Sequence, residues 1–172
     1  MIFLLHLTGL AVLLDLKYQK IPNELVITGF LCGLSYQIFC FQWTGFGNFL
    51  AGSFLVMVLT GTLYYFRMIG AGDIKLLAVI GGFLGPADGF RLTICTFLVG
   101  GMISAALMIK RRNLFSRLFY LKTYIYQYIE TKQWSPYRKI GCEDGYLYFS
   151  VPIFISLLLH IASKEQLLPI FV

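Results

Sequence analysis

Residues 46–85 read FGNFLAGSFLVMVLTGTLYYFRMIGAGDIKLLAVIGGFLG, and this stretch decides the fold. Two apolar runs, 46–66 and 74–85, flank the segment Met68-Ile69-Gly70-Ala71-Gly72-Asp73-Ile74-Lys75-Leu76. The first run has the roughly 20 residues needed to cross a bilayer core, and the second is shorter. Asp73 therefore stands at the mouth of an apolar helix with Gly70 and Gly72 just before it. An ionisable group so placed is costly in lipid and marks a functional position by default.

Working outward, further apolar segments cover 2–16, 24–43, 89–109 and 146–163. Hydrophobic residues make up 58% of the 172-residue chain and charged residues 13%. Soluble domains average roughly half and a quarter, so the solvent of this chain is lipid. The expected fold is all-α: a polytopic membrane bundle of about six transmembrane helices, with five as the alternative. No internal repeat and no linker rich in Pro, Gly or Ser divides it, so 1–172 reads as a single domain. The amino terminus has neither a basic n-region nor an A-x-A site, and is expected to be the first span rather than a removed signal.

Positive charge sets the orientation. With six spans, twelve of the fourteen Lys and Arg residues fall on one side, leaving Arg91 and Lys164 on the other. The crowded side is expected to be cytoplasmic, with both termini outside. This bias accounts for the net charge of +6 without nucleic acid, through attraction to anionic lipid. The polar region 110–145 carries Leu114, Leu118, Leu121, Ile125 and Ile129 at helical spacing, opposite Asn113, Arg117 and Glu130. It reads as a cytoplasmic amphipathic helix lying in the interface.

The cysteines, Cys32, Cys40, Cys95 and Cys142, form no CxxC pair, and His6 and His160 are isolated. Neither a zinc site nor a thiol site is supported, and no G-x-S-x-G or H-E-x-x-H string occurs. No metal, nucleotide or methyl donor is expected, so any activity should survive exhaustive chelation. What remains is the set of eight carboxylates. Asp88 falls in a GPADG turn, Glu143 and Asp144 precede the last span, and Glu130 and Glu165 lie on solvated segments. Asp15 and Asp73 resist such readings. Asp15 closes the run LTGLAVLLD on the last turn of the first span, where a carboxylate opposes the helix dipole. Its bland alternative is pairing with Lys17 or Lys20. Asp73 opens the fourth span, facing free N–H groups. Gly70 and Gly72 before it allow a positive φ or a close approach by another segment.

Under the topology above both acids lie at the cytoplasmic ends of their spans. Like charges a few ångströms apart cannot both ionise, so such a pair holds one proton. The ionised member can then activate water while the protonated member polarises a carbonyl, which is peptide hydrolysis without a metal or a covalent intermediate. The same acids could instead be the ion sites of a small transporter or proton-coupled membrane subunit.

Asp15-Leu16-Lys17-Tyr18-Gln19-Lys20-Ile21-Pro22-Asn23 resembles the D-x-(K/R)-x-x-x-I-P-N element of type IV prepilin peptidases. Gly70-Ala71-Gly72-Asp73-Ile74-Lys75-Leu76 resembles their GxGD-(V/I)-K-L element. The resemblance covers residues 5–109, and Tyr148-Phe149-Ser150-Val151-Pro152-Ile153 loosely resembles the family's I-P-(Y/F)-G-x-x-(I/L) stretch. It implies a GxGD-class intramembrane aspartyl protease, with Asp15 and Asp73 catalytic and Gly70 and Gly72 as backbone support. The implied substrate is a pilin-like precursor whose basic leader is cut at the cytoplasmic face. The paired CxxC motifs of the bifunctional, methylating members do not occur here. The chain looks like the short peptidase-only form, similar to those of tight-adherence pilus systems or archaeal preflagellin peptidases. Glu24, close in sequence to Asp15, is the candidate contact for the basic leader.

Overall fold

The computed structural model describes residues 1–66, 68–110 and 148–164, and all five elements among them are helices: α1 (Ile2–Tyr18), α2 (Asn23–Tyr65), α3 (Ala71–Leu84), α4 (Pro86–Lys110) and α5 (Ser150–Lys164). The amphipathic segment anticipated over 110–145 lies, beyond Lys110, outside the described residues, as do Cys142, Glu130, Glu143, Asp144 and Glu165. The chain divides into two units. Met1–Gly100 with Tyr148–Val172 forms one, and Gly101–Leu147 the other; of the second, only the last turns of α4 are described.

Each boundary has a local cause. α1 stops where Gln19 turns left-handed at φ 53°, its N–H bonding back to the Asp15 carbonyl at 2.8 Å. Pro22, extended at φ −64° and ψ 143°, then sets the entry to α2. α3 ends at Gly85, whose φ of +82° suits a residue without Cβ, and Pro86 opens α4. Glycine after one helix and proline at the first position of the next is the usual asymmetry of helix ends.

α2 is 43 residues long but is not one rod, because Gln42 leaves helical geometry at φ 52° and ψ −132°. Phe30 and Phe49 have ring centroids only 5.9 Å apart. A continuous helix would separate them by roughly 28 Å at 1.5 Å per residue. The two halves of α2 therefore fold back on one another, and the two apolar segments 24–43 and 46–66 form a helical hairpin. The backbone at Gln42 is of a kind that costs on the order of 1–3 kcal/mol.

The core of the first unit draws on all five helices. Leu4 and Ala11 of α1, Leu25 and Val56 of α2, Leu76 and Ile80 of α3, Leu92 of α4, and Ile153 and Leu157 of α5 form one buried cluster. The second half of α2 meets α3 through small residues. A Cβ on Gly81 would reach Val56 Cγ2 at 2.7 Å, one on Gly52 would overlap the Gly81 carbonyl oxygen, and one on Gly82 would reach Phe49 Cε2 at 2.6 Å. In lipid, helix association rests on such close backbone approach rather than on the hydrophobic effect. Gln37, buried on the first half of α2, donates from Nε2 to the Phe83 carbonyl at 2.9 Å and so satisfies the open end of α3.

Outward faces are apolar. Leu31, Phe39, Trp43, Phe54 and Met57 of α2 are all exposed, a surface that a soluble monomer rarely presents. α2 and the Pro86–Leu107 part of α4 are long and apolar enough to cross a membrane. Together with the composition, these features place the chain in a membrane.

Candidate active site

Register brings the two acids together. The rings of Phe3 on α1 and Phe83 on α3 lie 5.9 Å apart, near the start of one helix and the end of the other. The helices are thus antiparallel. Asp15 lies twelve residues beyond Phe3, and Asp73 ten before Phe83. At 1.5 Å per residue those offsets are roughly 18 and 15 Å, so the two carboxylates come level at the same end. Asp73 lies within electrostatic reach of Asp15, and both are half-buried.

Asp73 is the third residue of α3, after Gly70 as N-cap, and its carboxylate turns back toward the Gly70 backbone. That is the acidic half of a capping box. A Cβ on Gly70 would stand 3.0 Å from Asp73 Oδ2, which explains a side-chain-free residue there. Gly70 has φ −73° and Gly72 lies inside α3. Among the described glycines Gly85 has the positive φ, so the expectation of positive φ at Gly70 or Gly72 gives way to close approach. At Gly72 the approaching group is Ile21, whose Cβ lies 3.2 Å from where a Cβ would stand.

Ile21 belongs to the connection between α1 and α2, and the next link in the same interface is polar. Lys75 Nζ of α3 donates to Asn23 Oδ1 at 2.9 Å. The Asp15–Asn23 and Gly70–Leu76 elements are therefore two sides of one joint, in which Ile21 seats on Gly72 and Asn23 holds Lys75.

Asp15 does not take the partner its neighbourhood offers. Lys17 Nζ sits over the Tyr18 ring, 5.2 Å from its centroid. Instead, Ser150 Oγ at the start of α5 donates to Asp15 Oδ2 at 2.5 Å. Glu24 is exposed in the first turn of α2. It lines a groove of about 420 Å³ with Phe3, Leu7, Leu10 and Leu14 of α1 and Leu25 of α2. The groove runs along α1 from Phe3 to Leu14, the residue before Asp15.

At the opposite end Asp88 is more than a turn residue. It lies in the first turn of α4 and holds Lys164 Nζ of α5 at 2.6 Å, with Arg91 at 3.9 Å and the buried His160 at 3.8 Å. An acid at the start of α4 and a base at the end of α5 each suit their helix dipole.

The profile of the type IV leader peptidase family matches residues 1–109, which contain both acids and both sides of the joint. The chain belongs to the type IV leader peptidase family. It is an aspartic peptidase of that family, acting on prepilin-type substrates. No curated protein and no solved structure matches it. Two residues were not singled out by their sequence context. Gln37 stands in an ordinary apolar helix pattern, and Ser150 is separated by 135 positions from the acid it bonds.

Proposed function

We propose that this leader peptidase is a single multi-pass membrane domain of six spans that removes the basic leader from a type IV pilin-like precursor. The two folded-back halves of α2, together with α1, α3, α4 and α5, supply the spans. The distribution of lysine and arginine puts the Asp15 and Asp73 end at the cytoplasmic side.

One observation carries the catalytic assignment: with Phe3 of α1 against Phe83 of α3, two acids from separate helices stand level at the other end of the bundle. They share one proton. The ionised member takes a proton from water as the oxygen attacks the scissile carbonyl. The protonated member donates to that carbonyl oxygen, and collapse of the tetrahedral intermediate returns a proton to the leaving amine. The Gly70–Asp73 capping interaction and the Ile21–Gly72 contact hold the geometry. Among the described residues neither acid has a substitute nearby.

Asp15→Asn and Asp73→Asn are each expected to abolish cleavage of a pilin-like precursor by the purified enzyme in detergent or proteoliposomes. Protein level and insertion should not change. Near-normal cleavage by Asp15→Asn together with loss in Glu24→Gln would overturn the assignment.

A further inference from the structure

The hydroxyl of Ser150 adds a third member to the two acids. It reaches Asp15 Oδ2 at 2.5 Å, within the range of a charge-assisted O–H···O⁻ bond, and Ser150 is fully buried. The surroundings of that bond are consistent with a specific role. Asp15 stands at the end of α1, where the helix dipole disfavours a carboxylate. Ser150 begins α5, a helix with no acidic residue in its own first turn. Asp15 thus meets the positive end of α5, as Asp73 occupies that of α3, and each acid has a helix N-terminus behind it.

We infer that Ser150 is a positioning residue for the catalytic pair, fixing the Asp15 carboxylate by engaging one of its two oxygens. The inference rests on the reading of Asp15 and Asp73 as the catalytic dyad. With Oδ2 committed to the serine, the other oxygen is left for the shared proton and the attacking water. The carboxylate cannot rotate to offer either oxygen at random, and geometry of this kind has to hold to within about 0.5 Å. Among the described residues the nearby charges do not supply the same constraint. Lys17 is turned to Tyr18 and Lys75 is bonded to Asn23, while Lys20 is exposed.

A control lies on the same helix. Ser156 is also fully buried, and its hydroxyl has no hydrogen-bond partner among the described residues. The experiment compares Ser150→Ala, Ser150→Thr and Ser156→Ala in the full-length enzyme, with steady-state cleavage of a pilin-like precursor as the readout. Ser150→Ala is expected to lower kcat at least tenfold with KM within twofold of wild type. Ser156→Ala should match wild type, and Ser150→Thr, which keeps a hydroxyl, should recover most of the lost turnover. The inference is overturned if Ser150→Ala retains wild-type kcat or changes KM alone. It is also overturned if Ser156→Ala loses as much, or if Ser150→Thr stays at the level of alanine. Its failure is distinct from failure of the dyad: active Asp15→Asn and Asp73→Asn would remove the dyad, whereas inactive acid variants beside a fully active Ser150→Ala would remove only the serine.

Discussion

Replacing Gly72 by valine tests the joint between the two motifs directly. A Cβ at that position would lie 3.2 Å from Ile21 Cβ, 3.4 Å from its Cγ1 and 3.5 Å from its Cδ1. Alanine therefore asks the neighbour to yield only a few tenths of an ångström. Valine projects two further carbons from that Cβ and would force the α1–α2 connection away from the start of α3 by about 1 Å. Asp15 hangs from one side of that gap and Asp73 from the other. A misplacement of about 1 Å can lower a rate on the order of 100-fold. Gly72→Val is thus expected to lower kcat by roughly 10- to 100-fold, or about 1.4–2.8 kcal/mol of barrier. Gly72→Ala should lose less than about fivefold on the same scale. Because the obstruction is Ile21, the double variant Gly72→Val with Ile21→Ala should regain turnover relative to Gly72→Val alone, a coupling that a double-mutant cycle reads. Cleavage of a pilin-like precursor by the four proteins at matched levels is the assay. Wild-type turnover in Gly72→Val, or a double variant no better than strict additivity, would refute the steric reasoning.

For Glu24→Gln the expected result is a KM raised roughly two- to fivefold at low salt with constant kcat, and a weaker rise of KM with added salt than in wild type, because exposed pairs are modest and screened; an unchanged KM at low and high salt would remove Glu24 from the substrate site. Gly52→Ala should destabilise the enzyme in detergent by about 1–3 kcal/mol by forcing α2 away from the Gly81 carbonyl. Gly61→Ala, where nothing lies within 4 Å, should be neutral or slightly stabilising in the same thermal unfolding measurement, and equal behaviour of the two would refute the close-contact account.

Helix positions were legible because lipid imposes long apolar segments, and the boundaries were written in turn chemistry. The run anticipated over 74–85 corresponds to Ala71–Leu84, and that over 89–109 to Pro86–Lys110, the two being divided by Gly85 and Pro86. The break at Gln42 was harder, since neither a glycine nor a proline marks it, although the division between 43 and 46 came close. Asp15 and Asp73 stood out as charges at apolar helix ends. Their support did not. Ser150, Gln37 and the Asp88–Lys164 pair act across helices far apart in the chain, and spacing along one helix carries no trace of such contacts. The glycines before Asp73 signalled a constraint correctly, but its nature, crowding by Ile21 rather than a left-handed backbone, depends on which segment arrives there.

α3, which carries Asp73, has 14 residues. At 1.5 Å per residue it is roughly 21 Å long, against a hydrocarbon core of about 30 Å. An apolar wall this short creates hydrophobic mismatch, to which a bilayer adapts by thinning. On the function proposed above, such thinning is expected to lower the membrane surface toward the Asp15 and Asp73 end and so shorten the path of bulk water to the carboxylates. The thickness of the host bilayer thereby becomes a variable of the reaction, with longer acyl chains carrying the lipid headgroups and the water above them away from the peptide bond.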